Sequence, residues 1–327
     1  MVRNRPMADG SEEPCRPRLP SGSRTDVILV TGGEGYIGRH IRSELLAAER
    51  DVISLDCVNP GSPNDQNCFQ CDLTNANWLQ EIFASVQEPI AGIAHLASTL
   101  RTASLSDPYR ATEVNMLGTL NVLEAARNFG VARVVFASSV SIYGSKDPRA
   151  ADISESDPTT PEDVYGAAKQ YLEVLGDAYS RKYGLRFVAL RIPIVVGPGP
   201  IGVSSSLWRT DIVDALRENK EREILIPFSE NETLSIVHVK DLAQAFSILL
   251  NAPTLSHSSY NAPCEIWRLA DLKEELESLN ENLHIRFGNT VITGFPRRLN
   301  CDRFKTEFNL FPSLLKRLQD AAQVQRR

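Results

Sequence analysis

Val27-Ile-Leu-Val30, followed at once by Thr31-Gly32-Gly33-Glu34-Gly35-Tyr36-Ile37-Gly38, is the stretch on which the reading of this chain turns. The apolar run predicts a short buried strand, and the periodic segment Tyr36–Ala48 predicts a helix. Between them Gly32, Gly35 and Gly38 recur at every third position. Glycine at such a turn lets the backbone approach a pyrophosphate, whose charge is favoured at a helix N-terminus, and Gly38 permits close packing of helix on strand. Alone, a glycine motif carries little weight. Here it closes a strand and opens a helix, which is the context a dinucleotide site requires.

Working outward, Asp56 closes the second strand in Val52-Ile-Ser-Leu-Asp56. A carboxylate there accepts hydrogen bonds from both adenosine ribose hydroxyls and repels a 2′-phosphate, so the expected cofactor is NAD rather than NADP. The ordinary alternative is a surface Asp that ends a strand. Further strands are expected at Cys68–Cys71, Gly92–Leu96, Val134–Ala137 and Phe187–Arg191, with helices at Ala76–Val86, Tyr109–Phe129 and Pro161–Tyr183. This alternation predicts an α/β fold: a doubly wound parallel sheet of the Rossmann kind, helices on both faces, with ligand at the carboxyl ends of its strands.

After Arg191 the texture changes, through the loop Gly197-Pro-Gly-Pro-Ile-Gly202 and the serines 204 to 206. Helices follow near Asp211–Arg217, Asp241–Leu250, Ile266–Leu279 and Ser313–Gln323, and strands near Ile224–Ile226, Leu234–Val239 and His284–Phe287. The expected organisation is a tail over 1–24, an NAD-binding domain over 25–193, and a smaller, interleaved substrate domain over 194–327. The segment about 234–251 is expected to return to the first domain.

Composition bounds the function. A chain of 327 residues, 42% apolar and 23% charged, is ordinary for a soluble globular protein, and a net charge of −6 gives no support to a nucleic-acid partner. Runs such as Val27–Val30 are too short to cross a bilayer, so no membrane partner is expected. Cys15, Cys57, Cys68, Cys71, Cys264 and Cys301 form no dense framework and read as reduced thiols of a cytoplasmic protein. Cys68 and Cys71 lie in an expected strand and face opposite ways, with no second ligand pair, so no metal is expected. The tail carries arginines, but Asp9, Glu12 and Glu13 among them argue against a mitochondrial leader.

The chemistry is read from Tyr165-Gly-Ala-Ala-Lys169, which puts Tyr165 and Lys169 on one helix face, one turn apart. A tyrosine with a pKa of about 10 is a poor base near neutrality. A nearby ammonium favours its phenolate, and so tuned it can take the proton of an alcohol or return one to a carbonyl. The plain alternative is an aromatic ring packed on a lysine stem. Ser139, in Phe136-Ala-Ser138-Ser139, stands at a strand's carboxyl end and can hydrogen-bond the reacting oxygen. No nucleophile-elbow pattern surrounds it, so acyl transfer is set aside.

These pieces, with Asp72-Leu73, His95-Leu96-Ala97, Asn115 with Gly118-Thr119, Arg191 with Gly197-Pro198, and His238-Val-Lys-Asp241, resemble in order the extended short-chain dehydrogenase/reductase superfamily, specifically its NAD-dependent epimerase/dehydratase family. The resemblance covers residue 26 to about 250 and is looser beyond. It implies a cofactor site of Gly32, Gly35, Tyr36, Ile37, Gly38, Asp56, Asp72, Leu73, Leu96, Ala97, Ser98, Asn115, Tyr165, Lys169, Pro193, Ile194 and Val195, with catalysis by Ser139, Tyr165, Lys169 and Asn115. It also implies a homodimer through a four-helix interface built from the Tyr109–Phe129 and Pro161–Tyr183 helices, although both helices could simply cover the sheet.

Two departures bear on substrate. Nucleotide-sugar epimerases of the family carry a diphosphate-binding Asn where this chain has Ile194, and an Arg where it has Leu234. Losing both leaves two phosphate charges poorly compensated. Arg101, Ser139, Ser204, Trp208 and Arg209 are the substrate candidates, Arg101 as a bidentate grip on a carboxylate. The expectation is an NAD-dependent dehydrogenase acting on a small hydroxy acid, sugar acid or similar polar alcohol. Alternatives are a sugar or nucleotide-sugar epimerase or dehydratase that retains NAD, a ketoreductase working in the reverse direction, and a non-catalytic NAD-sensing protein.

Overall fold

Alternate residues of the first strand face opposite ways: Ile28 and Val30 join one buried apolar cluster, and Val27 and Leu29 another. A strand apolar on both faces needs a layer of helices on each side. The computed structural model, which describes residues 26–58, 67–147, 151–200, 206–218 and 221–323, shows that arrangement. Strands β1 (Val27–Thr31), β2 (Asp51–Asp56), β3 (Cys68–Gln70), β4 (Ile90–His95), β5 (Arg133–Ser139) and β6 (Arg186–Ile192) are followed by β7 (Ile194–Val196), β8 (Arg222–Ile226), β9 (Thr233–His238), β10 (Ser259–Asn261), β11 (Glu265–Arg268) and β12 (Leu283–Phe287). The main sheet has the order β10-β6-β5-β4-β1-β2-β3, and every pairing in it is parallel. Strand order reverses between β1 and β4, which places the ligand crevice at their carboxyl ends.

The helices are α1 (Tyr36–Ala47), α2 (Ala76–Ser85), α3 (Arg101–Ser106), α4 (Pro108–Thr112), α5 (Gly118–Asn128), α6 (Val164–Tyr183), α7 (Trp208–Glu218), α8 (Val239–Asn251), α9 (Leu269–Leu279), α10 (Asp302–Phe308) and α11 (Leu314–Gln323). Ile41 and Leu45 of α1 meet Phe246 and Leu249 of α8 over one face of the sheet; Leu79 and Phe83 of α2, Val122 of α5 and Leu172 of α6 cover the other. A third cluster, with Ile212, Leu216, Leu234, Leu272, Leu276 and Leu318, forms the smaller C-terminal unit around the sheets β11-β9-β7 and β8-β12. None of the described helices is long and apolar enough to cross a membrane.

Several elements depart from the sequence expectation. The expected helix Tyr109–Phe129 is divided by a π-helical turn, Glu113–Leu117, which carries Asn115. The helix expected from Pro161 begins at Val164, because Asp163 caps it, its carboxylate accepting the Gly166 N–H at 2.8 Å. Residues Glu265–Arg268, expected as the first turn of a helix, pair antiparallel with β9 instead. The segment about 234–251 divides: β9 joins the small sheet, while α8 packs on α1. Nothing in the sequence announces the short strands β7 and β10, since three residues show no recognisable period.

Arg133 fastens α8 to the sheet. It is 2% exposed, and its Nη1 donates to the carbonyls of Leu249 (2.6 Å), Leu250 (3.3 Å) and Ala252 (2.6 Å), at the negative end of the helix dipole. Its Nε and Nη2 have no partner among the described residues. Replacing Arg133 with Met removes the charge-assisted bonds that close α8. We expect a loss of about 2 kcal/mol of unfolding free energy in urea titration; a loss below roughly 0.5 kcal/mol would show that the carbonyls find other donors.

Candidate active site

The glycine turn is built for close backbone approach. Gly32 has φ +69°, and a Cβ on it would stand 2.8 Å from the Ala97 nitrogen, so β1 and the exit of β4 meet with no room between them. A Cβ on Gly38 would stand 2.1 Å from the Gly32 carbonyl oxygen. Helix α1 begins at Gly35 with no side-chain cap and no acid in its first turn. Its leading N–H groups and dipole therefore suit an anion, and this cradle fits a dinucleotide pyrophosphate. Asp56 stands at its edge, its carboxylate accepting the Glu34 N–H at 2.9 Å and the Val58 N–H at 3.1 Å. Ile37 packs on the core, and the Tyr36 hydroxyl donates to the Gly197 carbonyl at 3.1 Å.

Across the crevice, Leu96, Ala97 and Ser98 leave β4. The N–H groups of Leu96 (3.2 Å) and Ala97 (3.3 Å) donate to the Thr31 hydroxyl. That hydroxyl lies 2.6 Å from His95 Nδ1, and His95 Nε2 lies 2.8 Å from the Thr119 hydroxyl, which donates to the Asn115 carbonyl. Because Thr119 spends its proton on that carbonyl, His95 must donate from Nε2 and accept at Nδ1, the neutral tautomer. Burial holds it neutral, with a pKa of about 3. Asn115 in turn accepts the Thr99 N–H at 2.7 Å. Sequence reasoning names Thr31 and Thr119 only as members of motifs and misses Thr99, because a lone threonine carries no signal.

Asp72 and Leu73, expected in the cofactor site, are otherwise engaged in part. Asp72 accepts from Thr74 and pairs with Arg110 at 2.9 Å, and Leu73 is buried in the core. Pro193 is buried between β6 and β7; Ile194 is half-buried and Val195 buried at the start of β7.

Ser139 ends β5, where its Oγ accepts the Ser141 N–H at 3.1 Å. The Ser139 side chain interacts with the Tyr165 phenol and favours its ionised form. Lys169 is 2% exposed, its Nζ donating to the Ala137 carbonyl at 2.8 Å and lying 5.5 Å from the Tyr165 ring centroid and 4.6 Å from that of Phe136. The structure thus brings Ser139, Tyr165 and Lys169 together. It corrects the expected tuning, however. Burial pushes the Tyr165 phenol up to about 12, the Ser139 hydrogen bond only partly opposing it, and burial draws Lys169 down to about 7. Both charged forms lose hydration here, so the ammonium and the phenolate each need outside help.

Among the substrate candidates, Arg101 is committed: its Nε donates to Asp163, so it is no free carboxylate grip. Trp208, expected in a covering segment, is 5% exposed and packs in the C-terminal core, where an indole gains most from burial. Ser204 lies outside the described residues. Arg209 differs from both. Its Nε reaches the Ser206 carbonyl at 3.4 Å, no described carboxylate pairs with it, and burial lowers its pKa. A half-buried guanidinium that no described carboxylate pairs, close to Tyr36 of the glycine turn, suits an anionic group of a ligand.

The family model described as NAD dependent epimerase/dehydratase family matches residues 28–262. A UDP-glucose 4-epimerase of Lacticaseibacillus casei is 37% identical over 180 residues, covering 54% of this chain and 53% of that protein. The chain thus spans about half the length of that relative. A D-erythronate dehydrogenase of Haemophilus influenzae is 28% identical over 294 residues, 84% of this chain and 91% of the relative. The solved structure of the Thermus thermophilus UDP-glucose 4-epimerase in complex with NAD superposes with a TM-score of 0.76 at 25% identity, over 92% of this chain and 99% of that one.

Replacing Gly38 with Ala is expected to abolish NAD binding by forcing the turn apart, whereas Asp56→Ala should weaken NAD more than NADP. Calorimetric titration of both nucleotides checks this; equal losses for the two in Asp56→Ala would remove Asp56 from cofactor choice.

Proposed function

Because the chain belongs to the NAD-dependent epimerase/dehydratase family and is an NAD-dependent enzyme, we propose that it oxidises a carbinol, or reduces the matching carbonyl, in a small polar anionic substrate such as a hydroxy acid or sugar acid. The observation that carries this reading is the sealing of the two diphosphate positions. Leu234 is fully buried in the C-terminal core, and Ile194 is half-buried in β7 where it pairs with Ile236. Neither offers a donor. Arg209 remains as one cation that no described carboxylate pairs, suited to a single carboxylate rather than a diphosphate. The full-length likeness to a D-erythronate dehydrogenase agrees with that class.

NAD, when bound, supplies the acceptor or donor of the hydride. Tyr165 holds the proton: protonated, it donates to a carbonyl oxygen, and as phenolate it takes the proton of the substrate hydroxyl. Ser139, whose side chain interacts with the same phenol, steadies the reacting oxygen in this reading. Lys169 favours the phenolate when charged, and Asn115 holds the Thr99 backbone that borders the site.

A second reading, an epimerase that retains NAD, is favoured by the 37% identity to a UDP-glucose 4-epimerase. Releasing nucleotide from the purified protein and following absorbance at about 340 nm with sugar acids and with UDP-sugars separates the two. Net reduction of NAD by an acid supports the dehydrogenase; retained NAD with interconversion of a UDP-sugar and no net change replaces it. In either case Tyr165→Phe should cut kcat by at least about a hundredfold while NAD still binds. Near-normal turnover in that variant would sink the role of Tyr165.

We also infer that a second copy of the chain covers α4 to α6. Tyr109 (77% exposed), Tyr171 (47%) and Leu117 (44%) line a cavity of about 380 Å³ there, with Met116 and Leu120. Contiguous apolar surface of this kind favours burial. Sedimentation should give a dimer, and Tyr109→Glu with Tyr171→Glu a monomer; a monomeric parent removes the inference.

A further inference from the structure

Lys169 is a buried ammonium with one carbonyl acceptor and two aromatic rings, an environment that disfavours its charge. The titratable groups facing it are few. His95, across from it, is neutral, and Tyr165, one turn before it, is protonated. The remaining group is Glu173, one turn after it on α6, whose negative charge favours the ammonium.

Glu173 is itself 12% exposed and firmly held. Arg191 donates to it from Nη2 at 2.7 Å and from Nε at 3.1 Å, and the Ser138 hydroxyl donates to its Oε1. Arg191 is fixed in turn by the Tyr143 hydroxyl at 2.8 Å, and Tyr143 by Asn261 at 2.7 Å. Ser138 sits between Ala137, whose carbonyl receives Lys169, and Ser139, which meets Tyr165. One carboxylate therefore touches the strand end that carries both partners of the acid/base pair. Arg191 offsets part of the carboxylate's charge, and the charge Glu173 retains, one helical turn from Lys169, favours the ammonium.

We propose that Glu173 is a positioning residue of this active site, holding Lys169 as its ammonium and keeping Ser138 and Ser139 in register with α6. The proposal rests on the reading of Tyr165 and Lys169 as the acid/base pair. It assigns the pair Glu173–Arg191 a part in the chemistry, although neither residue touches the reacting atoms.

The test needs no substrate. The full chain, labelled with 13C at lysine Cε, is titrated by NMR, with Lys169→Arg to identify the resonance. Glu173→Gln is expected to lower the Lys169 midpoint by about one pH unit, whereas Glu173→Asp retains most of it. Because Glu173→Gln leaves Arg191 buried without a counter-charge, Glu173→Gln with Arg191→Met is made alongside; it keeps the interior neutral and should lower the midpoint as well. Arg191→Met alone should leave the midpoint in place or raise it. An unchanged midpoint in either folded Glu173→Gln variant overturns the proposal. So does a fall of equal size in Arg191→Met, which would mean loosened packing rather than lost charge. With substrate, the alkaline limb of kcat/KM, where the required ammonium is lost, should move to lower pH in Glu173→Gln by about the same amount. Should the NMR shift appear while Tyr165→Phe keeps its turnover, the acid/base reading fails and the electrostatic support of Lys169 stands.

Discussion

At the end of β1 the Thr31 hydroxyl accepts the N–H groups of Leu96 and Ala97 and lies 2.6 Å from His95 Nδ1. That exchange sets how closely β1 and β4 approach where the strand order reverses. The glycine turn depends on the approach, since a side chain on Gly32 would collide with Ala97. So does the far wall of the crevice, because His95 passes the constraint through Thr119 to the π-helical turn that holds Asn115. The crevice is therefore shaped by the same buried hydrogen bonds that close the sheet. Each member is satisfied, which is what a buried polar network needs in order to stabilise rather than loosen its surroundings.

Among the described residues, buried Arg133, Arg191 and Lys169 and half-buried Arg209 are accommodated in different ways. Arg133 rests on the carbonyls that end α8, a fixed partial charge that never leaves. Arg191 has a full counter-charge in Glu173. Lys169 has one carbonyl and a carboxylate a turn away, and Arg209 has no described carboxylate at all. The less completely a desolvated cation is paired, the more an arriving anion or developing phenolate gains from it. Lys169 lies by the end of β5 and Arg209 near Tyr36 of the glycine turn, whereas Arg133 lies where the sheet is fastened.

Much of the main sheet was legible because its signals are local. Val27–Val30 and Gly32 to Gly38 announce strand, turn and helix within a dozen residues, and Asp56 closes the next strand in an equally regular place. Tyr165 and Lys169 are visible because helical spacing alone puts them on one face. Less legible were elements whose formation depends on a partner distant in sequence. β10 exists because Ser259–Asn261 finds the open edge of β6, and β11 because Glu265–Arg268 finds β9. Arg101 read as a free guanidinium because nothing nearby in sequence signals that Asp163 would claim it.

Periodicity, glycine spacing and the order of motifs by themselves determined the parallel sheet, the glycine turn and the placing of Tyr165 and Lys169 on one helix face, since each is written in residues close together in the chain. Only the tertiary structure decided the electrostatic condition of that pair. Tyr165 stands near 12 and Lys169 near 7 because of what surrounds them, and the groups that matter, Glu173, Ser139 and His95, come from three different elements. Desolvation depends on enclosure by the whole fold, and a charge acts through space rather than along the chain. That is why spacing could name the residues while their proton affinities had to await the packing.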